Sequence, residues 1–139
     1  MIKNARALGA GLLLLAGSFL ASPASAHGGA AGPVVVEKLS RSLTDIAGKE
    51  VLMLTVEYPP GGADPVHRHD AHGFIYVLEG EIVMGVKGGR AVTLRPGDTF
   101  YEGPGDVHTI GRNASTTKPA RFVVLLVKDA NREPFIPVN

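Results

Sequence analysis

The sequence contains no cysteine and no tryptophan, and aromatic residues make up only 6% of its 139 positions. Without cysteine the chain can form neither disulfides nor thiolate metal sites, and it offers no attachment point for the lipid of a lipoprotein. A chain of this length is also too short for two ordinary domains. We therefore expect a single domain whose polar chemistry depends on residues other than thiols.

An excess of charge of either sign is missing as well. The 14 Lys and Arg residues nearly balance the 13 Asp and Glu residues, which gives a formal net charge of +1. No cluster of Lys or Arg follows residue 26. Proteins that bind nucleic acid neutralise the phosphate backbone with such clusters. We therefore expect no nucleic-acid partner.

A long hydrophobic run occurs only at the start of the chain. Lys3 and Arg6 precede an apolar stretch from Ala7 to Leu20, and Ala24-Ser25-Ala26 has the small-x-small pattern that signal peptidase cleaves. The apolar stretch is shorter than the roughly 20 residues that span a bilayer. We expect residues 1–26 to be a cleaved signal peptide, the mature protein to be periplasmic or secreted, and no stable membrane anchor to remain.

The rest of the chain has the pattern of a β-protein. Residues 27–33 are rich in Gly and Ala and predict a flexible leader, and the folded domain is expected over 34–139. Short β-branched and aliphatic runs alternate with Gly and Pro turns, which predicts strands at Val34 to Leu39, Glu50 to Glu57, Phe74 to Leu78, Glu81 to Val86, Ala91 to Leu94, His108 to Ile110 and Phe122 to Val127. Such short strands predict an all-β sandwich or small barrel, whose exposed edges could pair in a homodimer.

Three of the five histidines lie within six residues, at positions 67, 69 and 72. Side chains at i and i+2 of an extended strand share a face, so His67 and His69 can direct two imidazoles into one cavity. His108 begins a later strand, which a barrel could place opposite the first. Neutral imidazole is a good ligand for Zn, Cu, Fe or Ni. The alternative is that these histidines are solvated residues at a loop edge.

The spacing of these residues resembles the two motifs of the cupin superfamily. The first motif has Gly, five residues, His-x-His, three or four residues, Glu, six residues and Gly, and here Gly61 precedes His67-Arg68-His69 and Gly80 closes the segment. The second has Gly, five residues, Pro-x-Gly, two residues and His, and Gly97 leads here to Gly103-Pro104-Gly105 and then His108. The resemblance implies a cupin double-stranded β-helix, or jelly-roll barrel. It also implies one divalent transition metal (Mn, Fe, Cu, Ni or Zn) bound by His67, His69 and His108.

The chain departs from the family pattern at the carboxylate ligand. Gly73 occupies the position of the metal-binding Glu of the family. The neighbouring His72 could replace it if a bulge at Gly73 turned the ring inward, which would give a four-histidine site. Regular pleating would instead point His72 outward and leave a three-histidine site completed by water or substrate. Asp64 and Asp70 are weaker candidates for the missing carboxylate.

Two further features have less definite roles. Cleavage of the signal peptide would make His27 the N-terminal residue, where its amine and imidazole could chelate copper together. Asn113-Ala114-Ser115 matches a glycosylation sequon, a pattern that is frequent by chance.

The function is less defined than the fold. Cupins with this ligand arrangement include dioxygenases, isomerases, lyases and proteins that only bind, so the resemblance does not choose among them. Apolar strands predict an apolar pocket for a small-molecule ligand or substrate. No catalytic base is identified, because Glu102 and Asp106 are expected on turns that face water. The sequence predicts an exported metal-binding protein that is an Fe-, Cu- or Mn-dependent oxygenase-type enzyme, or else a non-catalytic sensor or scavenger of metal or small ligands, or a barrel with vestigial histidines.

Overall fold

The computed structural model describes residues 31–139. The expected signal peptide, His27 and most of the expected leader lie outside those residues. The described chain forms β1 (Val34–Ser42), β2 (Lys49–Tyr58), β3 (His67–Arg68), β4 (Ala71–Glu79), β5 (Ile82–Val86), β6 (Val92–Leu94), β7 (Thr99–Glu102), β8 (Val107–Asn113), β9 (Ala120–Asp129) and β10 (Ile136–Pro137). Over these residues there is no helix that is long and apolar enough to cross a membrane.

The strands form two antiparallel sheets of five strands each, in the orders β1-β2-β9-β4-β7 and β10-β3-β8-β5-β6. From β2 onwards the chain passes back and forth between the sheets, as in a jelly roll. The predicted all-β jelly-roll fold is confirmed. The extended strand expected at His67 is present as β3, whereas the short strands β7 and β10 were not predicted, and β7 carries a residue of the candidate site.

The core lies between the two sheets and follows the two-residue period of the strands. In β4, Ala71, Gly73, Ile75 and Val77 are buried, while the residues between them are exposed. Strand β9 alternates in the same way, and it pairs in register with β2 over the whole length of both strands. Their inward side chains form one cluster with residues of β4, β5 and β6: Leu52, Val56, Tyr58, Ala71, Ile75, Val77, Ile82, Met84, Leu94, Ala120, Phe122, Val124 and Leu126.

Strand β1 forms one edge of its sheet and pairs only with β2 among the described strands. All nine of its residues are exposed. A β-bulge between Glu37 and Leu39 interrupts its pairing with β2, and bulges at sheet edges hinder pairing with another chain. The homodimer that exposed edges could support therefore stays a prediction.

Asn113 ties the loop after β2 to the loop between β8 and β9. The side chain is 4% exposed, and its amide nitrogen donates to the carbonyls of Tyr58, Pro59 and Lys118 at 3.2, 3.0 and 2.8 Å. Its oxygen accepts from the Ser115 backbone N–H at 2.8 Å. The side chain that matches a sequon is therefore a buried structural clamp, and its amide nitrogen is not accessible for glycosylation.

Candidate metal centre

His67 and His108 are brought together by the pairing of two strands. Strand β3 pairs with β8 so that His67 lies directly opposite His108. Both side chains are 3% exposed. Nε2 of His67 is 3.4 Å from Nδ1 of His108. Two strands that are distant in sequence thus place two imidazole nitrogens at one point inside the barrel.

His69 joins this pair from the end of β3. The ring centroids of His67 and His69 are 4.9 Å apart. Nδ1 of His67 donates to the Pro65 carbonyl at 2.8 Å, and Nδ1 of His69 donates to the Pro134 carbonyl. A proton held on Nδ1 leaves Nε2 as the ring's lone-pair donor, and metal-ligating histidines are oriented in this way. Both rings are therefore preset to present Nε2.

Glu102 provides a carboxylate beside the histidines, contrary to the expectation that it lies on a turn and faces water. It is the last residue of β7 and is 3% exposed. Oε1 lies 3.5 Å from Nδ1 of His108, and Oε2 lies 3.6 Å from Nε2 of His69. Recognising β7 in the sequence would have revealed this position, because Glu102 and Phe100 are two residues apart and share the inward face of a strand.

Glu102 also lies opposite the residue where the family carboxylate is missing. In the pairing of β4 with β7, Gly73 is the direct partner of Glu102. A Cβ atom at Gly73 would be 3.6 Å from Cβ of Glu102 and 3.4 Å from Leu126. The inward face at this level of the barrel therefore carries a carboxylate, but on the neighbouring strand.

His72 lies on the other side of the sheet. It is exposed, and its Nδ1 is 2.8 Å from the Tyr101 hydroxyl. No bulge interrupts the pairing of β4 with β9 between Ala71 and Val77, so regular pleating directs His72 outward. The structure thus corrects the four-histidine arrangement: His72 does not share the cavity of the other three.

Asp64 is a second carboxylate at the site, whereas Asp70 is bound by Arg68. Ligand atoms of Asp64, His67 and His108 all lie within 4.8 Å of one another, so these residues could hold a metal ion. The buried Tyr58 hydroxyl donates to Oδ2 of Asp64. Gly111 leaves room for this arrangement, because a Cβ there would be 2.9 Å from the Tyr58 hydroxyl.

Burial favours the neutral form of every group in this cluster. It lowers the pKa of His108 to about 4, with contributions from His67 and His69, and it lowers the pKa of those two imidazoles as well. Burial, followed by the nearby Asp106 and Asp64, raises the pKa of Glu102 to about 7. The histidines are therefore unprotonated at neutral pH, which is the form that binds metal.

The residues present fit a divalent metal. Oε2 of Glu102 and Nε2 of His108 are buried without a hydrogen-bond partner among residues 31–139, and a buried polar atom without a partner is costly. Unprotonated imidazoles beside a carboxylate form a donor set that suits Mn, Fe, Cu, Ni or Zn. A cation in this cluster would compensate the carboxylate of Glu102 and bind the imidazole nitrogens that face it, Nε2 of His67 and Nδ1 of His108.

The cluster lies in a cavity of about 460 Å³ between the two sheets. This volume is within the roughly 300–1,000 Å³ range of small-molecule sites. Besides the candidate ligands and Glu37, its lining is apolar: Pro33, Val35, Leu52, Leu54, Val56, Pro65, Ile75, Met84, Phe122, Val124, Pro134 and Phe135. Phe135 stacks on His67, with ring centroids 4.3 Å apart. The segment that follows β9 thus covers part of the histidine cluster.

A family model for the cupin domain matches residues 54–126, which include all of these candidate ligands. The chain belongs to the cupin family. Structures similar to this cupin include oxalate oxidase in complex with the substrate analogue glycolate, with a TM-score of 0.60 and 27% identity over 77% of this chain and 55% of that chain. DMSP lyase DddQ from Ruegeria pomeroyi DSS-3 has a TM-score of 0.54 and 27% identity over 60% of this chain and 41% of that chain.

The same fold is shown by a conserved double-stranded β-helix protein from Klebsiella pneumoniae, with a TM-score of 0.61 and 19% identity over 77% of this chain and 86% of that chain. No curated protein matches this cupin in sequence. This cupin spans about half the length of the oxalate oxidase and DMSP lyase chains, 55% and 41% respectively. Their activities therefore enter only as support for a proposal.

Proposed function

We propose that this protein is an exported metalloenzyme that binds one divalent transition metal through His67, His69, His108 and Glu102 and acts on a small organic molecule inside the barrel. Asp64 lies at the same site and, with Tyr58, can hold a proton beside the bound molecule. Support comes from the family, whose members similar to this chain include an oxidase and a lyase.

The observation that carries the proposal is the burial of Glu102 beside His69 and His108. A carboxylate that is 3% exposed and leaves one oxygen without a hydrogen bond is expensive unless a cation compensates it. Its two oxygens face two different imidazoles, at 3.5 and 3.6 Å. Such a group costs stability in the metal-free protein, so we infer that it is present for binding.

The roles of the chain's own groups follow from their positions. A metal bound here would act as a Lewis acid on an oxygen atom of the substrate or, as Fe or Cu, supply redox chemistry. Pro65 and Pro134 fix the tautomers of His67 and His69. The apolar walls exclude water, which strengthens electrostatic interactions inside the cavity. Asp64 lines the cavity and accepts a hydrogen bond from Tyr58, so this pair could exchange a proton with a bound molecule.

Metal analysis of protein purified from its own exported compartment tests the proposed centre, because another compartment would load whichever ion is abundant there. Wild-type protein is expected to carry about one metal ion per chain, whereas Glu102→Gln is expected to carry much less. Glu79→Gln is the matched control, because it is the same substitution at a glutamate that pairs with Arg121 on the surface. Equal metal content in wild type and Glu102→Gln would contradict the assigned ligand.

A non-catalytic role in binding metal or a small ligand is the second candidate. The stacking of Phe135 on His67 favours this role, because the Phe135 ring covers one face of His67 and limits access to a metal bound there. Substrate-dependent oxygen uptake by the Fe- or Cu-loaded protein, or turnover of any small molecule, supports the enzyme. Tight metal retention with no turnover across a broad substrate panel supports the binding protein.

Export is proposed from the sequence of residues 1–26 alone. N-terminal sequencing of protein from the periplasm or culture medium is expected to begin at His27. A mature chain that retains Met1 and stays in the cytoplasm would contradict export without affecting the metal site.

A further inference from the structure

The charges that line the barrel cavity are all of one sign. Glu37, Asp64 and Glu102 are the charged side chains in its lining, and each is acidic. Over residues 31–139, no Lys or Arg contributes to the cavity wall. The remaining polar groups are the three imidazoles of the proposed metal centre, which bind metal in their uncharged form. A bound carboxylate would therefore find no cationic side chain in the cavity.

Two cations on strands beside the cavity are already paired. Arg68, between His67 and His69 in the sequence, is bound to Asp70. Lys128 is on the inward face of β9 but is 3% exposed, and its Nζ lies 2.6 Å from Oε1 of Glu50. Moving either cation into the cavity would break an ion pair, and in the case of Lys128 it would leave the charge of Glu50 partly buried and uncompensated.

A bound divalent metal would also have no uncompensated positive charge to attract a carboxylate substrate. Glu102, as a ligand of the metal, would offset one of its two positive charges, and the carboxylate of Asp64, which accepts a hydrogen bond from Tyr58, would offset the other. A substrate carboxylate would then add an unpaired negative charge among apolar walls such as Leu52, Val56 and Phe122, where desolvation of an ion is costly. An uncharged molecule of suitable size has no such cost and gains from apolar burial.

We propose that this site selects uncharged, mainly apolar small molecules that bind the metal through oxygen atoms, and that it discriminates against carboxylates. The inference rests on the proposed metal centre.

A matched pair of probes tests the discrimination. 4-Methylcatechol and 3,4-dihydroxybenzoate present the same two hydroxyls to a metal and differ by a methyl group in place of a carboxylate. Titration calorimetry on the zinc-loaded protein avoids oxidation of either probe, because zinc has no redox chemistry. We expect 4-methylcatechol to bind at least about tenfold more tightly, a difference of about 1.4 kcal/mol. Equal or tighter binding of 3,4-dihydroxybenzoate would overturn the proposal.

Two charge-reversal variants test whether the cavity sets this preference. Glu37 is exposed on β1 but lines the cavity, whereas Glu57 is exposed on β2 outside it. Glu37→Lys is expected to raise the affinity for 3,4-dihydroxybenzoate and narrow the preference. Glu57→Lys changes the net charge equally and is expected to leave the preference unchanged. Equal effects of the two variants would show that net charge, and not the cavity, is responsible, which overturns the proposal.

Zinc content measured on the same samples distinguishes failure of the proposed metal centre from failure of the proposed substrate class. If the protein does not retain zinc, the metal centre fails, and the inference fails with it. If zinc is retained at about one ion per chain and both probes bind equally, the metal centre stands and only the substrate class is wrong.

Discussion

Gly73 and Glu102 are direct partners across strands β4 and β7, and the carboxylate that β4 lacks is supplied from β7. Residues at one pair position of an antiparallel sheet share a face and lie close together. A side chain at position 73 would begin 3.6 Å from Cβ of Glu102. A glutamate at position 73, as in the family motif, and Glu102 would therefore both place a carboxylate on the same inward face of the barrel.

The cost of burying Glu102 predicts a pH-dependent effect on stability. Burial raises its pKa from 4.5 to about 7, so the stability that this carboxyl contributes is present below 4.5 and is lost as the pH rises through about 7. In the absence of metal, Glu102→Gln is expected to be more stable than wild type at about pH 8, by on the order of 3 kcal/mol. The difference should disappear near pH 4.5, the ordinary pKa of Glu.

Urea unfolding in the presence of a chelator measures this difference. The lowered pKa values of the histidines destabilise both proteins in acid, so their effect cancels in the comparison. Saturating metal should reverse the order, because only the wild type has the charged ligand. A metal-free Glu102→Gln that is less stable than wild type at alkaline pH would mean that the carboxylate has a structural role.

Substituting single histidines should distinguish the residues that point into the cavity from His72, which points outward. His69→Ala is expected to lower the affinity for zinc by more than about 100-fold, since loss of a residue that merely orients a ligand already costs about 10–100-fold. His72→Ala removes the same side chain from the outer face and should leave the affinity unchanged. Competition with a chromogenic chelator measures both. A large loss of affinity in His72→Ala would contradict the outward placement of that ring.

The close packing around Gly111 predicts that a single methyl group disturbs the site. A Cβ there would lie 2.9 Å from the Tyr58 hydroxyl, 3.0 Å from Cε1 of His108 and 3.1 Å from Oδ2 of Asp64. Gly111→Ala is expected to lower the free energy of unfolding by about 1–3 kcal/mol and to reduce metal affinity.

Gly85→Ala is the matched control for this substitution. Gly85 lies on the neighbouring strand β5, and a Cβ there would have only ordinary contacts, the shortest being 3.4 Å. Urea unfolding and metal content should be close to those of the wild type. The same loss in both variants would show that the packing around Gly111 has no special role at the site.

The last residues of the chain are predicted to support the metal centre. The Pro134 carbonyl accepts the Nδ1 proton of His69, and Phe135 stacks on His67. Ending the chain after Glu133 should lower zinc affinity by about 10–100-fold, because His69 loses the group that orients it. Phe135→Leu keeps the carbonyl and should retain most of the affinity. Equal losses would assign the effect to the aromatic ring.

The all-β fold could be predicted from local patterns in the sequence, and the three histidines from the spacing of the two cupin motifs. Two-residue alternation and Gly-Pro turns define the strands, and the spacing of His67 and His69 places both rings on one face. The role of Glu102 could not be predicted in this way. It depends on β7, a strand of four residues that is hard to recognise, and on its register with β4, which only tertiary pairing determines.

The ambiguity at His72 had a similar origin. Strand parity predicts that it points outward, but a glycine next to it also permits a bulge. The unbroken pairing of β4 with β9 decides between these alternatives. Asp64 was only a weak candidate for the same reason as Glu102, since its approach to His67 depends on the close packing that Gly111 permits.

Moving the carboxylate between the two paired strands tests the central claim most directly. Zinc affinity would be measured for wild type, Glu102→Ala and the double variant Gly73→Glu with Glu102→Ala. We expect a large loss of affinity in Glu102→Ala and substantial recovery in the double variant, because a carboxylate at position 73 returns to the same face beside the same histidines. Wild-type affinity in Glu102→Ala would contradict the claim that Glu102 replaces the missing carboxylate of this metal centre.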